Sequence, residues 1–168
     1  MSDLKFEILA ETPDDQETIE NLHARAFGPG RFTRTAYRLR EGVSPVANLC
    51  HAGWLDGKLV ASIRLTRVKI ENSLGLLLGP IVVHPDFNSQ GYGLKLVINA
   101  VGASRKDGFP WIILVGDAPY YEKAGFQKAL PGAIHFPGPV DPDRVMVLAL
   151  QEDGLTGVEG LLSPVRDE

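Results

Sequence analysis

The stretch Val82–Val97, VVHPDFNSQGYGLKLV, decides how the rest of the chain is read. A β-branched apolar run ends at His84-Pro85. Polar and aromatic residues follow, then Gly91 and Gly93, then a segment able to form a helix. Upstream, Leu74–Val83 (LGLLLGPIVV) is apolar almost throughout, the pattern of a buried strand. The glycines thus stand where a strand gives way to a helix. A helix N-terminus carries about half a positive charge and several unpaired N–H groups. Glycines there remove the Cβ atoms that would hold an anion at a distance. Taken alone, the two glycines favour a plain tight turn; taken with their neighbours, they can form an anion cradle.

Outward from this stretch the elements fall into a simple order. Leu4–Glu11 alternates apolar and polar, as a half-buried first strand does. Thr12 is a candidate N-cap with Pro13 in the first turn, and Ile19, Leu22, Ala26 and Phe27 have helical spacing up to Gly28. Arg31–Gly42 reads as a second helix, joined to the first through Gly28, Pro29 and Gly30. Asn48–Leu55 and Lys58–Ile70 flank Asp56-Gly57, a strong hairpin signal. The helix from about Gly91 to Lys106 presents Leu94, Val97, Ile98 and Val101 on one face. A buried strand (Pro110–Gly116), a short helix (Ala118–Gly125), a Pro/Gly-rich loop (Pro131–Asp143) and a last strand (Arg144–Leu150) complete the series. Two apolar strands flanking one helix imply a parallel crossover. The expected fold is α/β (α+β): one domain with a mixed, mostly antiparallel sheet, a parallel strand-helix-strand unit and helices on both faces. It should occupy residues 1–150, with 151–168 a tail packed on or extending from it.

Composition narrows the function classes. At 168 residues the chain can bury a full core without staples. Its net charge of −4 argues against a sequence-independent grip on nucleic acid, and it leaves an amine substrate unopposed. The single cysteine, Cys50, permits no internal disulfide and suits a reducing compartment. There is no basic-then-apolar leader and no apolar run of membrane-spanning length. A cytoplasmic protein without membrane partners is expected. The Gly91 loop is not a Walker A loop, which needs Gly-Lys-Ser/Thr, nor a Rossmann fingerprint, because Leu96 stands where its third glycine belongs.

The segment GPIVVHPDFNSQGYGLKLV resembles the acetyl-CoA motif of the GNAT superfamily of N-acetyltransferases. Val83-His84-Pro85 matches its Val-x-Pro step, and Asn88-Ser89-Gln90-Gly91-Tyr92-Gly93 its six-residue loop. A second motif follows in order: Tyr120–Phe126 (YYEKAGF) is similar to the family's Tyr-Glu-Lys-x-Gly-Phe. The element order matches over roughly residues 4–150, and the VGDAPYY approach resembles a bacterial, YhbS-like branch of predicted N-acetyltransferases. Asn88 stands where the family has Gln or Arg, and Gln90 where a basic residue is common. Lys95 is then the nearest cation to the pyrophosphate, and Asp117 the nearest polar residue to the family's usual Asn.

The resemblance implies direct transfer of an acetyl group from acetyl-CoA to a primary amine of a small molecule or peptide. It implies pantetheine pairing along Ile81, Val82 and Val83, with a backbone N–H near Val83 facing the oxyanion. It also implies a pyrophosphate cradle from Asn88, Ser89, Gln90, Gly91, Tyr92, Gly93, Leu94 and Lys95, a flanking Asp117, and Tyr121 as general acid to the thiolate. No metal is expected. Tyr121 also has a packing reading under the Gly91 helix, and Tyr120 reads as a packing or pocket residue. The base is open between Glu71, acting through water, and His84; each has a solvent-facing alternative. His51 can line a pocket, while His23 and His135 read as surface or loop. Cys50 reads as a small buried residue, and Trp54 and Trp111 as core. Asp14, Asp15, Glu17 and Glu20 read as a capped, solvated helix face. The alternative function is a non-catalytic acyl-CoA sensor of the same fold, and a homodimer is compatible with an open sheet edge.

Overall fold

The computed structural model describes residues 5–27 and 35–166. The joint at Gly28, Pro29 and Gly30 and the first part of the second expected helix lie outside the described residues. The elements are β1 (Phe6–Ala10), α1 (Gln16–Phe27), α2 (Thr35–Arg38), β2 (His51–Leu55), β3 (Lys58–Ile70), β4 (Ser73–Val83), α3 (Tyr92–Lys106), β5 (Trp111–Val115), α4 (Ala118–Glu122), β6 (Gln127–Lys128), β7 (Ile134–His135), β8 (Val145–Ala149) and β9 (Gly160–Pro164). The sheet runs β1-β2-β3-β4-β5-β8-β6. The pairs along this path are antiparallel except β4–β5, joined in parallel by the α3 crossover.

The local chemistry explains most elements. Asp15 accepts a hydrogen bond from the Thr12 amide at 2.9 Å, closing the entry to α1. Asp56 and Gly57 both have positive φ, 48° and 79°, as a two-residue hairpin turn requires. Trp111 packs flat where a Cβ on Gly75 would stand, so that glycine is fixed by close approach. The Trp111 indole N–H donates to Ser73 Oγ at 2.9 Å.

Helices cover both faces of the sheet. Leu96, Val97, Ala100 and Val101 of α3 pack with Leu76, Leu78, Ile112 and Leu114. On the opposite face, Ile19 and Leu22 of α1 pack with Ala52, Leu59 and Val82. Leu39, just after α2, packs with Leu77, Trp111 and Ile113 on that same side of the β4–β5 pair.

Several expectations shift. The buried face of α3 is centred on Leu96, Val97, Ala100 and Val101; Ile98 is 53% exposed and Leu94 only half-buried. Gly91 is the N-cap, so α3 begins at Tyr92, and packing against β4 and β5 selects which side of the helix is buried. His23 is buried at 5% exposure rather than on the surface, because it lies one helical turn after Ile19. Ala26 is exposed. Residues Ala47–Leu49 form a 3-10 turn, so β2 begins at His51. The Pro/Gly-rich loop contains a short strand, β7. β8 is not the last strand: β9 follows it, pairing with β3 at Val68–Ile70 and with β7, and it buries Leu162.

Candidate active site

The site begins with a register break. Between Ile63 and Leu65 on β3 there is one residue, whereas their partners Ile81 and Leu78 on β4 are separated by two. Gly79-Pro80 is therefore a bulge opposite Arg64, and Gly79 has φ 130°. One inserted residue inverts the side-chain alternation. Leu76 and Leu78 face α3, yet beyond the bulge it is Ile81 and Val83 that do so.

The bulge bends β4 away from β5. The two strands pair only at Leu76–Ile112 and Leu77–Ile113, then separate. Past that point β4 keeps β3 on one side, while its other side borders a cleft. The His84 N–H donates to Val60 C=O at 2.7 Å, continuing the β3–β4 ladder. In an antiparallel ladder successive residues alternate in direction. With His84 and Val82 turned to β3, the N–H and C=O groups of Ile81 and Val83 point into the cleft.

The cleft continues into a cavity of about 1020 Å³ that borders both faces of the sheet. On the α3 side lie Tyr120 and Tyr121 of α4. Tyr121 packs under Gly116, where no Cβ has room, and its ring meets Tyr120 and Phe126 edge-on at centroid distances of 4.9 and 6.1 Å. Burial pushes the Tyr121 phenol up to about 12, with the neighbouring Tyr120 adding to the effect. A phenol so shifted stays protonated and can donate. Tyr120 reaches α3: a Cβ on Gly93 would stand 2.5 Å from its hydroxyl and 3.4 Å from Val83 Cγ2. The two motif glycines thus answer to different needs. Gly91 has open space around it and is required for its φ of 86°, whereas Gly93 is required for the approach of Tyr120.

Asn88, Ser89, Gln90 and Gly91 are exposed at the mouth of α3. Ser89 and Gly91 both have positive φ, 64° and 86°. Tyr92 stacks on Phe6 of β1 at 4.5 Å, and the Lys95 ammonium lies 5.7 and 5.9 Å from the Tyr92 and Phe6 rings. Asp117 is exposed at the N-cap of α4 and lines the cavity.

The two candidate bases are not brought to the cavity. Glu71 sits at the β3–β4 turn, where its carboxylate accepts from the Leu161 N–H at 3.0 Å. The length of β4, on the order of 30 Å at ~3.3 Å per residue, separates it from Val83. His84 lies outside the cavity lining, with Nε2 2.8 Å from an Arg25 guanidinium nitrogen and Nδ1 3.1 Å from the Asp86 backbone N–H. A neutral imidazole accepts at one nitrogen only, so one of these two donors engages the single lone pair that a base would use. His51 is half-buried outside the cavity lining.

Sequence reading missed the other half of the cavity. Glu20 and His23 of α1, Arg64 and Thr66 of β3, and Tyr37 and Arg40 line it. Arg64 is held by Glu11 at 2.7 Å and lies 3.5 Å from Glu20, which in turn lies 3.7 Å from His23. Glu20 is therefore part of a charged chain at the cavity and not merely a solvated helix residue. Two signals were available: His23 on the stripe of Ile19, and Arg64 in the middle of an apolar strand. Among the described residues no His/Cys/Asp/Glu cluster could hold a metal ion, and no helix is long and apolar enough to cross a membrane.

The site thus combines a mixed sheet split between two parallel strands, a glycine-capped helix at the split and a tyrosine lining the cavity. Residues 48–128 match the model of the acetyltransferase (GNAT) domain. It is 27% identical over 129 residues to the uncharacterized N-acetyltransferase YjhQ of Escherichia coli, covering 74% of this chain and 71% of that one. In fold it is similar to the N-acetyltransferase YhbS of Escherichia coli, solved in complex with CoA. The TM-score is 0.82 at 23% identity, over 98% of this chain and 92% of that chain. A GNAT acetyltransferase of Brucella melitensis in complex with acetyl-CoA gives a TM-score of 0.59 at 24% identity, covering 86% and 96%.

Proposed function

We propose that this protein transfers an acetyl group from acetyl-CoA directly to a primary amine held in the cavity. One observation carries the reading: β4 and β5 stop pairing after Leu77–Ile113, and beyond that point Ile81 and Tyr121 line one cavity. The gap between the two strands fits an extended pantetheine arm, which would pair with Ile81 and Val83 as an added strand. Ser89–Leu94 would hold the pyrophosphate through backbone N–H groups and the α3 dipole. When bound, acetyl-CoA supplies an activated thioester. The Val83 N–H would face its carbonyl oxygen as negative charge develops there. The amine nitrogen would bond to the carbonyl carbon and release its second proton, the carbon–sulfur bond would break, and the Tyr121 hydroxyl would give the departing sulfur a proton and be reprotonated by the one released from nitrogen. The amine must arrive neutral. Glu20 and His23, at the cavity and 3.7 Å apart, are the groups we assign to accept its proton, directly or through water.

The test has two parts. Thermal shift with CoA, acetyl-CoA, ATP and NAD should show stabilisation by the CoA compounds alone. Thiol release across an amine panel should then depend on Tyr121. No shift with either CoA compound at millimolar concentration sinks the reading.

A further inference from the structure

The acceptor half of the cavity holds a cation without a counter-ion. Arg40, two residues beyond α2, extends to β4, where its guanidinium lies 3.6 Å from the position a Cβ on Gly79 would take. Its Nε is out of contact with solvent and has no acceptor. Among the described residues no carboxylate comes within 4.0 Å of it. Arg64, the other buried arginine of the cavity, is neutralised by Glu11, and Glu41 next in sequence forms no pair with Arg40. Burial holds Arg40 down to about 10, and the nearby Arg64 adds to the lowering. Thr66, also in the lining, has its hydroxyl buried without a partner. A desolvated charge without a partner is costly, and a buried hydroxyl without one adds to the cost. Both are relieved if a ligand brings an acceptor with one negative charge. A guanidinium matches a carboxylate in geometry and in charge.

Resting on the acetyltransferase reading above, we propose that the acceptor is an amine that also carries a carboxylate, with Arg40 receiving the carboxylate and Thr66 completing its hydrogen bonds. The amine then lies toward Val83 and Tyr121, beyond the bulge. Arg40 is thus a specificity residue for zwitterionic acceptors, and the negative surface of the protein is no guide to the ligand's charge.

Matched acceptor pairs test this, compared at saturating CoA for Tm and at saturating acetyl-CoA for turnover: glycine against glycinamide, and 4-aminobutyrate and 6-aminohexanoate against their amides. The expected result is that at least one carboxylate raises Tm where its amide does not, and that kcat/KM favours it by about 10- to 100-fold. Arg40→Met should erase that preference while keeping the CoA-induced shift, and its ligand-free Tm should rise because an unpaired buried charge is gone. Arg40→Lys, which keeps the charge but loses the fork, should restore only part of the preference. If CoA itself gives no shift, the acetyltransferase reading fails first. If CoA binds but every amide equals its acid, or if Arg40→Met keeps the preference, this proposal is overturned and the acetyltransferase reading stands.

Discussion

The two halves of the cleft are built by different means. The half we assign to acetyl-CoA comes from consecutive chain: the end of β4, the loop 84–91 and the start of α3, with Tyr121 one crossover later. Its chemistry is largely backbone chemistry, the exposed N–H groups of Ile81 and Val83 and the positive-φ turns at Ser89 and Gly91. The acceptor half comes from α1, α2 with its following turn, the middle of β3 and the 139–144 segment. Its chemistry is side-chain chemistry, centred on Arg40, Arg64, Glu20 and His23. A backbone site tolerates side-chain change except where a Cβ has no room. A side-chain site is retuned by single substitutions.

Breaking the acceptor half should have the largest effect. Glu11→Ala leaves Arg64 buried with only the longer contact to Glu20. We expect a loss on the order of 3 kcal/mol, a fall in Tm of about 6–12 °C for a chain of this size. Scanning calorimetry checks it, and a change under 2 °C would show that the charged chain is not structural. Next is Tyr121→Phe, expected to lower kcat about 100-fold with little change in KM for acetyl-CoA. Because burial raises the Tyr121 phenol to about 12 from about 10, the folded state holds this proton more tightly than the unfolded state. Its stabilising contribution is present below pH ~10 and is lost as pH rises toward ~12. The wild-type rate should accordingly show no descending limb from this group below about pH 10. A descending limb nearer neutrality that disappears in Tyr121→Phe would contradict the assignment.

Two further substitutions sharpen the contrast. Gly93→Ala places a methyl group against the Tyr120 hydroxyl. Overpacking of this kind costs about 1–3 kcal/mol, and here it should appear as a smaller CoA-induced shift. Adding Tyr120→Phe removes the clashing oxygen and should restore it; failure of the double variant would mean that the Gly93 methyl blocks the ligand itself. The smallest effect is expected for Lys95→Ala, about a 5-fold loss of CoA affinity or less, since an exposed charge contributes at most ~1 kcal/mol. A 100-fold loss in calorimetric titration would overturn the picture of a backbone-held pyrophosphate.

What was legible in the sequence follows the same division. The hairpin at Asp56-Gly57, the buried strands, the α3 crossover and the Gly91 and Tyr120–Phe126 motifs all depend on residues near one another in the chain. Turn chemistry and periodicity act over that range. The short β7 and the closing β9 were not legible, because two- to five-residue strands exist only through their partners. Of the expected α3 stripe Val97 and Val101 are buried, while Leu94 is half-buried and Ile98 exposed, because packing against β4 and β5, not the pattern alone, selects the buried side.

The sequence by itself determined the class of fold and one face of the site: a strand, a glycine-capped helix and a tyrosine whose order is local and whose chemistry is main-chain. Only the tertiary structure decided that Glu71 lies at the wrong end of β4, that Arg25 covers His84, and that Glu20, His23 and Arg40 share a cavity. Glu20 and His23 come from α1 and Arg40 from the turn after α2, on the face opposite α3. Their meeting depends on how α1 and α2 pack across a sheet that an inserted residue at Gly79-Pro80 has bent open. No periodicity along the chain encodes that closure.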